Sequence, residues 1–187
     1  MKDCLNGRAS AHHISEAVTF LSKLGASPVV VPEPALSNAL AEQDVDGVLL
    51  SWSSLASLKL ESLVKAHSEA PKGAPWPYAE LSVLLMNPDA YRGLADDLKQ
   101  TIRANSGDIV SAQIGKSIDE AAQAARNSAV ERGDSINALP ESDLDQWRDA
   151  ATATVSERVV ALDALGLKGE KIVSKARAVI VQYDPNQ

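Results

Sequence analysis

Val29, Val30 and Val31 form a run with no polar face, which predicts a strand covered on both sides. Pro32 and Pro34 stop it, because proline removes a ladder donor and restricts the residue before it. Leu36, Ala39 and Leu40 then recur at helical spacing, Asp46-Gly47 reads as a turn, and Val48 to Leu50 is a second apolar run. A strand, a helix and a strand in that order predict an α/β fold with parallel sheet. Ligands of such sheets sit beyond the carboxyl ends of the strands, which singles out Ser51 and Trp52 as a pocket edge. A tryptophan after a strand is equally at home in a core, and the sequence leaves both roles open.

The rest of the chain divides into three regions. Residues 1–94 read as an α/β portion that would carry a ligand. It opens with a helix in "SAHHISEAVTFLSKLG", with Ser10 as N-cap, Ile14, Val18, Leu21 and Leu24 as the apolar stripe, and Gly25 just past its end. "SLASLKLESLVKAHSEA" looks helical at first and less regular later, "PKGAPWP" is a loop, and Val83 to Met86 is a further strand candidate ended by Asn87-Pro88. Residues 95–132 contain no proline and many strong helix formers, which predicts one connecting helix about 57 Å long. Gly107 and Gly115 are the places where it would kink or break. Residues 133–187 read as a short strand, "DSINALP", then a helix with Leu144, Trp147, Val155 and Val159 on its buried side, stopped by Gly166, then a last short helix.

Charge and composition exclude several functions. A net charge of −7 and a pI near 4.9 leave no basic stripe for nucleic acid or for an anionic membrane surface. Cys4 is the single cysteine, so there is no internal disulfide and no thiolate metal cluster. The opening "MKDCLNGRAS" lacks the apolar segment of an export signal, and no apolar run is long enough to span a bilayer. No Walker-type lysine loop, GxGxxG or GxSxG is present, so no cofactor is expected and catalysis is not. His12 and His13 are adjacent and point apart on a helix, and His67 stands alone, so neither reads as a metal site. Paired carboxylates such as Asp96-Asp97 fall at helix starts, where the dipole favours them. Trp52, Arg8 and the Trp76-to-Tyr78 loop remain as ligand candidates.

Four stretches in order carry a family resemblance: "LGASPVVVPEPALSNALAEQDVDGVLLSW", "LSVLLMNPDAYRGLADDLKQTIRANSG", the long helical segment after it, and "INALPESDLDQWRDAA". Together they resemble the solute-binding proteins of TRAP transporters, the tripartite ATP-independent periplasmic importers of organic acids. The resemblance implies a periplasmic-binding-protein-like α/β fold in truncated form, with βαβ units, one long helix and a helical C-terminal part. It implies binding of a small carboxylate solute without catalysis, delivery to a TRAP membrane permease, and a periplasmic location. In that family an arginine in a segment like G-x-K-x-R-x-S forms a bidentate pair with the solute carboxylate, a task that suits guanidinium. "LNGRAS" places Arg8 near that point, and the stretch after the VDG turn maps the pocket lining to Leu50, Ser51 and Trp52, with Tyr78 as a further candidate.

Family members are longer, and this chain begins about where their central part would. Half a clamp leaves its ligand wet and its strand edges unpartnered. The expectation is therefore a homodimer or domain-swapped oligomer. Three readings compete: a truncated solute receptor, a self-associating structural fragment that has lost its ligand, and an α/β enzyme of another kind.

Overall fold

The computed structural model describes residues 8–11, 15–72, 74 and 82–183, and the side chains of 8–11, Ser15 and Tyr183 are outside that description. Two small parallel sheets organise it. In the first, β1 (Arg8–Ala11) lies between β2 (Ser27–Val30) and β3 (Gly47–Leu49). In the second, β4 (Ala66–Glu69) pairs with β5 (Ser135–Ala138). Helices α1 (Ser15–Lys23), α2 (Leu36–Ala41) and α3 (Trp52–Ser57) connect or follow the first sheet. Beyond β4 come α4 (Pro88–Arg92), α5 (Asp96–Ala104) and α6 (Asp108–Glu131), and after β5 come α7 (Glu141–Ala164) and α8 (Gly169–Tyr183).

The strand-helix-strand reading holds, with one refinement. β2 and β3 are parallel, yet they flank β1 rather than touching each other. That makes β2 an edge strand, so Val29 and Val30 are exposed rather than covered on both sides, while Val31 turns inward. β3 shows why the sheet is stable. Its neighbours Val48 and Leu49 point to opposite faces, as pleating requires. Val48 joins a core of Val31, Leu36, Ala39, Val45, Leu55 and Leu60 under α2 and α3. Leu49 joins Phe20, Leu24, Leu139, Leu144, Trp147 and Ala150, between α1 and α7.

Four local expectations are corrected. Ser10 lies in β1 rather than at a helix start, because Arg8–Ala11 pairs on both sides with strands, and the described helix runs from Ser15. Gly25 does end that helix, at φ +86°. Ala66–Glu69, in the less regular end of its stretch, is β4, whose alternate residues His67 and Glu69 turn inward. Residues 82–87 form no strand, and Val83 to Met86 are exposed, with Leu84 at 98%. An apolar run becomes a strand only when a neighbour takes its backbone hydrogen bonds, and none does so among the described residues. The long helix is interrupted once, at Gly107, whose φ of +82° and ψ of −159° suit only glycine. Asn105 and Ser106 cover the last carbonyls of α5, bonding Thr101 O at 2.9 Å and Ile102 O at 2.7 Å. Gly115 stays within α6.

Candidate functional site

Ser51 follows the carboxyl end of β3 and caps α3. Its hydroxyl accepts from Ser54 N at 3.1 Å and bonds the hydroxyls of Ser53 and Ser54 at 3.0 and 2.9 Å. Trp52 begins α3, is half-buried against Leu55 and its neighbours, and lies over the His67 imidazole, ring centroids 4.6 Å apart. The tryptophan therefore joins a core and a polar cluster at once.

That cluster has two ends. At the amino end of β5, Asp134 is almost fully covered, with 1% of its side chain exposed. Arg132 donates to it from Nη2 at 2.7 Å and Nε at 3.1 Å, and Lys65 Nζ stands 3.5 Å away. Burial pushes the Asp134 carboxyl up, but the Arg132 hydrogen bond, the Arg132 charge and Lys65 outweigh it and hold it below its usual range. His67, with 9% of its side chain exposed, faces the same carboxylate at 3.5 Å, and its Nε2 makes no hydrogen bond among the described residues.

At the carboxyl end of β4, Glu69 and Arg126 of α6 form a two-pronged pair. Arg126 Nε donates to Glu69 Oε2 at 2.9 Å and Nη2 to Oε1 at 2.6 Å. The Arg126 hydrogen bond leads in holding the Glu69 carboxyl low against the opposing effect of burial, with the Arg126 charge and the Trp52 side chain adding to it. Beside these elements, α3 and α6 enclose an open groove of about 450 Å³, with Ser53, Ser54 and Ser57 on one wall and Ile114, Ser117 and Ile118 on the other. Among the described residues no group of three His, Cys, Asp or Glu could hold a metal, and no helix is long and apolar enough to cross a membrane.

The residues singled out by sequence are not brought to one place. The register pairs Arg8 with Ser27 and Ala11 with Leu49. Arg8 is therefore at the amino end of the sheet, about 10 Å along the strand from the level of Leu49, while Ser51 and Trp52 are past the carboxyl end. In a Gly-x-Lys-x-Arg frame starting at Gly7, the arginine position is Ala11, which does stand at the carboxyl end of β1. Tyr78, Trp76, Cys4, His12 and His13 lie outside the described residues. Glu69 and Arg126 were missed. Ala66–Glu69, "AHSE", has no apolar alternation to mark a strand, and the pair meets only across 57 positions of the chain.

Parallel strand-helix units with a polar carboxyl rim define an α/β fold of the kind whose ligands sit beyond the strand ends. The chain matches the DctP model of bacterial extracellular solute-binding protein, family 7, over residues 14–160, and belongs to that family. A comparison with curated proteins found no match. Among solved structures, it is similar to a TRAP solute-binding protein from Rhodoferax ferrireducens in complex with copurified benzoate, at 26% identity and TM-score 0.80, covering 94% of this chain and 54% of that one. It is similar to a marine metagenome TRAP protein specific for aromatic acid ligands, in complex with metahydroxyphenylacetate, at 26% identity and TM-score 0.81, covering 95% and 55%. A Bordetella bronchiseptica TRAP protein with bound mandelate shares the fold at 23% identity and TM-score 0.77, covering 95% and 55%. The chain thus spans about half the length of these relatives.

Proposed function

We propose that this chain binds a small organic acid as the partial receptor of a TRAP-type importer, in the periplasm, and hands it to a membrane permease. The observation that carries the reading is the likeness in fold and sequence, over 94% or more of the chain, to receptors whose ligands are benzoate and metahydroxyphenylacetate. Ser51 and Trp52 face the solute in this reading, and it does not depend on Arg8 or Tyr78. Thermal shift of the 187-residue chain against benzoate, 3-hydroxybenzoate, mandelate and malate tests it. A ligand that binds only the folded state raises the melting temperature. If none of the four does so at millimolar concentration, the reading is wrong.

A second reading, self-association, is favoured by the exposed apolar residues Val83 to Met86, Leu98, Ile102, Ile109, Ile114 and Ile118. Faces of this kind on α5, the first half of α6 and the 82–87 segment are suited to a homodimer or an exchanged oligomer.

A further inference from the structure

Arg126 and Glu69 meet where a sheet of this type takes its ligand. Glu69 is the last residue of β4, and Trp52 is among the first residues past the end of β3. Arg126 reaches them from α6, 57 residues further along the chain. The pairing is side-on and bidentate, the arrangement in which a guanidinium takes any carboxylate, including one carried by a solute.

Accessibility separates this pair from the other arginine–carboxylate contact in the cluster. Asp134 is sealed beneath Arg132 and Lys65, as a strut between α6 and β5 would be. Glu69 and Arg126 keep 28% and 37% of their side chains exposed. Water therefore reaches this pair, whereas the Asp134 side chain is covered. The indole of Trp52, only half-buried, supplies an apolar wall beside it, held in place by the imidazole of His67.

We infer that Arg126 is the carboxylate-receiving group of this chain and that Glu69 is an internal stand-in for the solute, a side chain that masks the guanidinium until an aromatic monocarboxylate replaces it. This rests on the solute-binding reading and names its cationic residue. The solute's carboxylate takes the two N–H groups that Glu69 gives up, its ring lies along Trp52, and the displaced Glu69 carboxylate returns to water.

Benzoate, with benzyl alcohol as the neutral control, tests the inference by calorimetry on the whole chain. Glu69→Gln removes the competing charge, and benzoate affinity rises about tenfold, the scale of one charge-assisted hydrogen bond lost to a competitor. Arg126→Gln abolishes benzoate binding, and Arg126→Lys, which keeps the charge without the fork, restores only part of it. Benzyl alcohol is indifferent to all three changes. Melting curves identify any variant that fails to fold, and Glu69→Ala replaces Glu69→Gln in that event. If benzoate binds the native chain and neither Arg126→Gln nor Glu69→Gln alters its affinity, the pair is merely structural and this inference falls while the receptor reading stands. If benzoate, mandelate and malate bind neither the native chain nor Glu69→Gln, both fall together.

Discussion

Phe20 and Trp147 meet edge to face, ring centroids 5.4 Å apart and planes inclined at 69°. The contact joins α1 to α7, two elements more than 100 residues apart in sequence, within the core of Phe20, Leu24, Leu139, Leu144, Trp147 and Ala150. Trp147 is buried in that core, so Trp147→Ala should cost about 3–5 kcal/mol and Trp147→Phe much less. Urea denaturation followed by circular dichroism measures both. A loss below about 1 kcal/mol for the alanine variant would show that the site collapses around the missing ring.

Gly107 makes the break between α5 and α6, since its backbone lies in a region closed to other residues. Gly107→Ala removes that permission and introduces the strongest helix former. The two helices should then join through residues 105–107, deepening the ellipticity at 222 nm. An unchanged or weaker signal would mean that Asn105 and Ser106, not the glycine, set the interruption.

The pH dependence has a definite sign. Glu69 and Asp134 are both held below the usual carboxylate range in the folded chain. The unfolded chain therefore binds more protons between the ordinary carboxylate values and the depressed ones. Their contribution is fully present above the ordinary values and is lost as pH falls through the folded ones. The melting temperature should accordingly fall below about pH 5, and Glu69→Gln should flatten part of that slope. A melting temperature that is level or rising down to pH 3 contradicts it.

Leu84 and Leu85 are the most exposed leucines of the apolar 82–87 segment. If that segment joins copies of the chain, light scattering shows a mass that increases with concentration, and the double change Leu84→Glu and Leu85→Glu returns it to the monomer. A monomer at all concentrations removes self-association as a reading.

The sequence made the first sheet legible wherever a local pattern decided the outcome. Proline stops, the Asp46-Gly47 turn and helical spacing at Leu36, Ala39 and Leu40 all act within a few residues. It failed where partners decide. Ser10 and Ala66–Glu69 carry no strong strand propensity and became strands because parallel neighbours were present. Val83 to Met86 has that propensity and is not a strand, for want of a neighbour among the described residues. The site followed the same division. That Ser51 and Trp52 follow the end of a strand could be read from an apolar run, whereas the meeting of Glu69 with Arg126 spans 57 residues and left no local trace.

The order of strands also sets two clocks for synthesis. β1 lies between both of its partners, and all three strands fall within residues 8–49, so this sheet can assemble while most of the chain is still on the ribosome. β4 must wait for β5, because Ala66 pairs with Ser135. During that delay the nascent chain carries an open strand edge at β4 and the bare leucines that follow it. Translation speed across residues 70–135 therefore governs how long the newborn molecule is exposed to wrong partners.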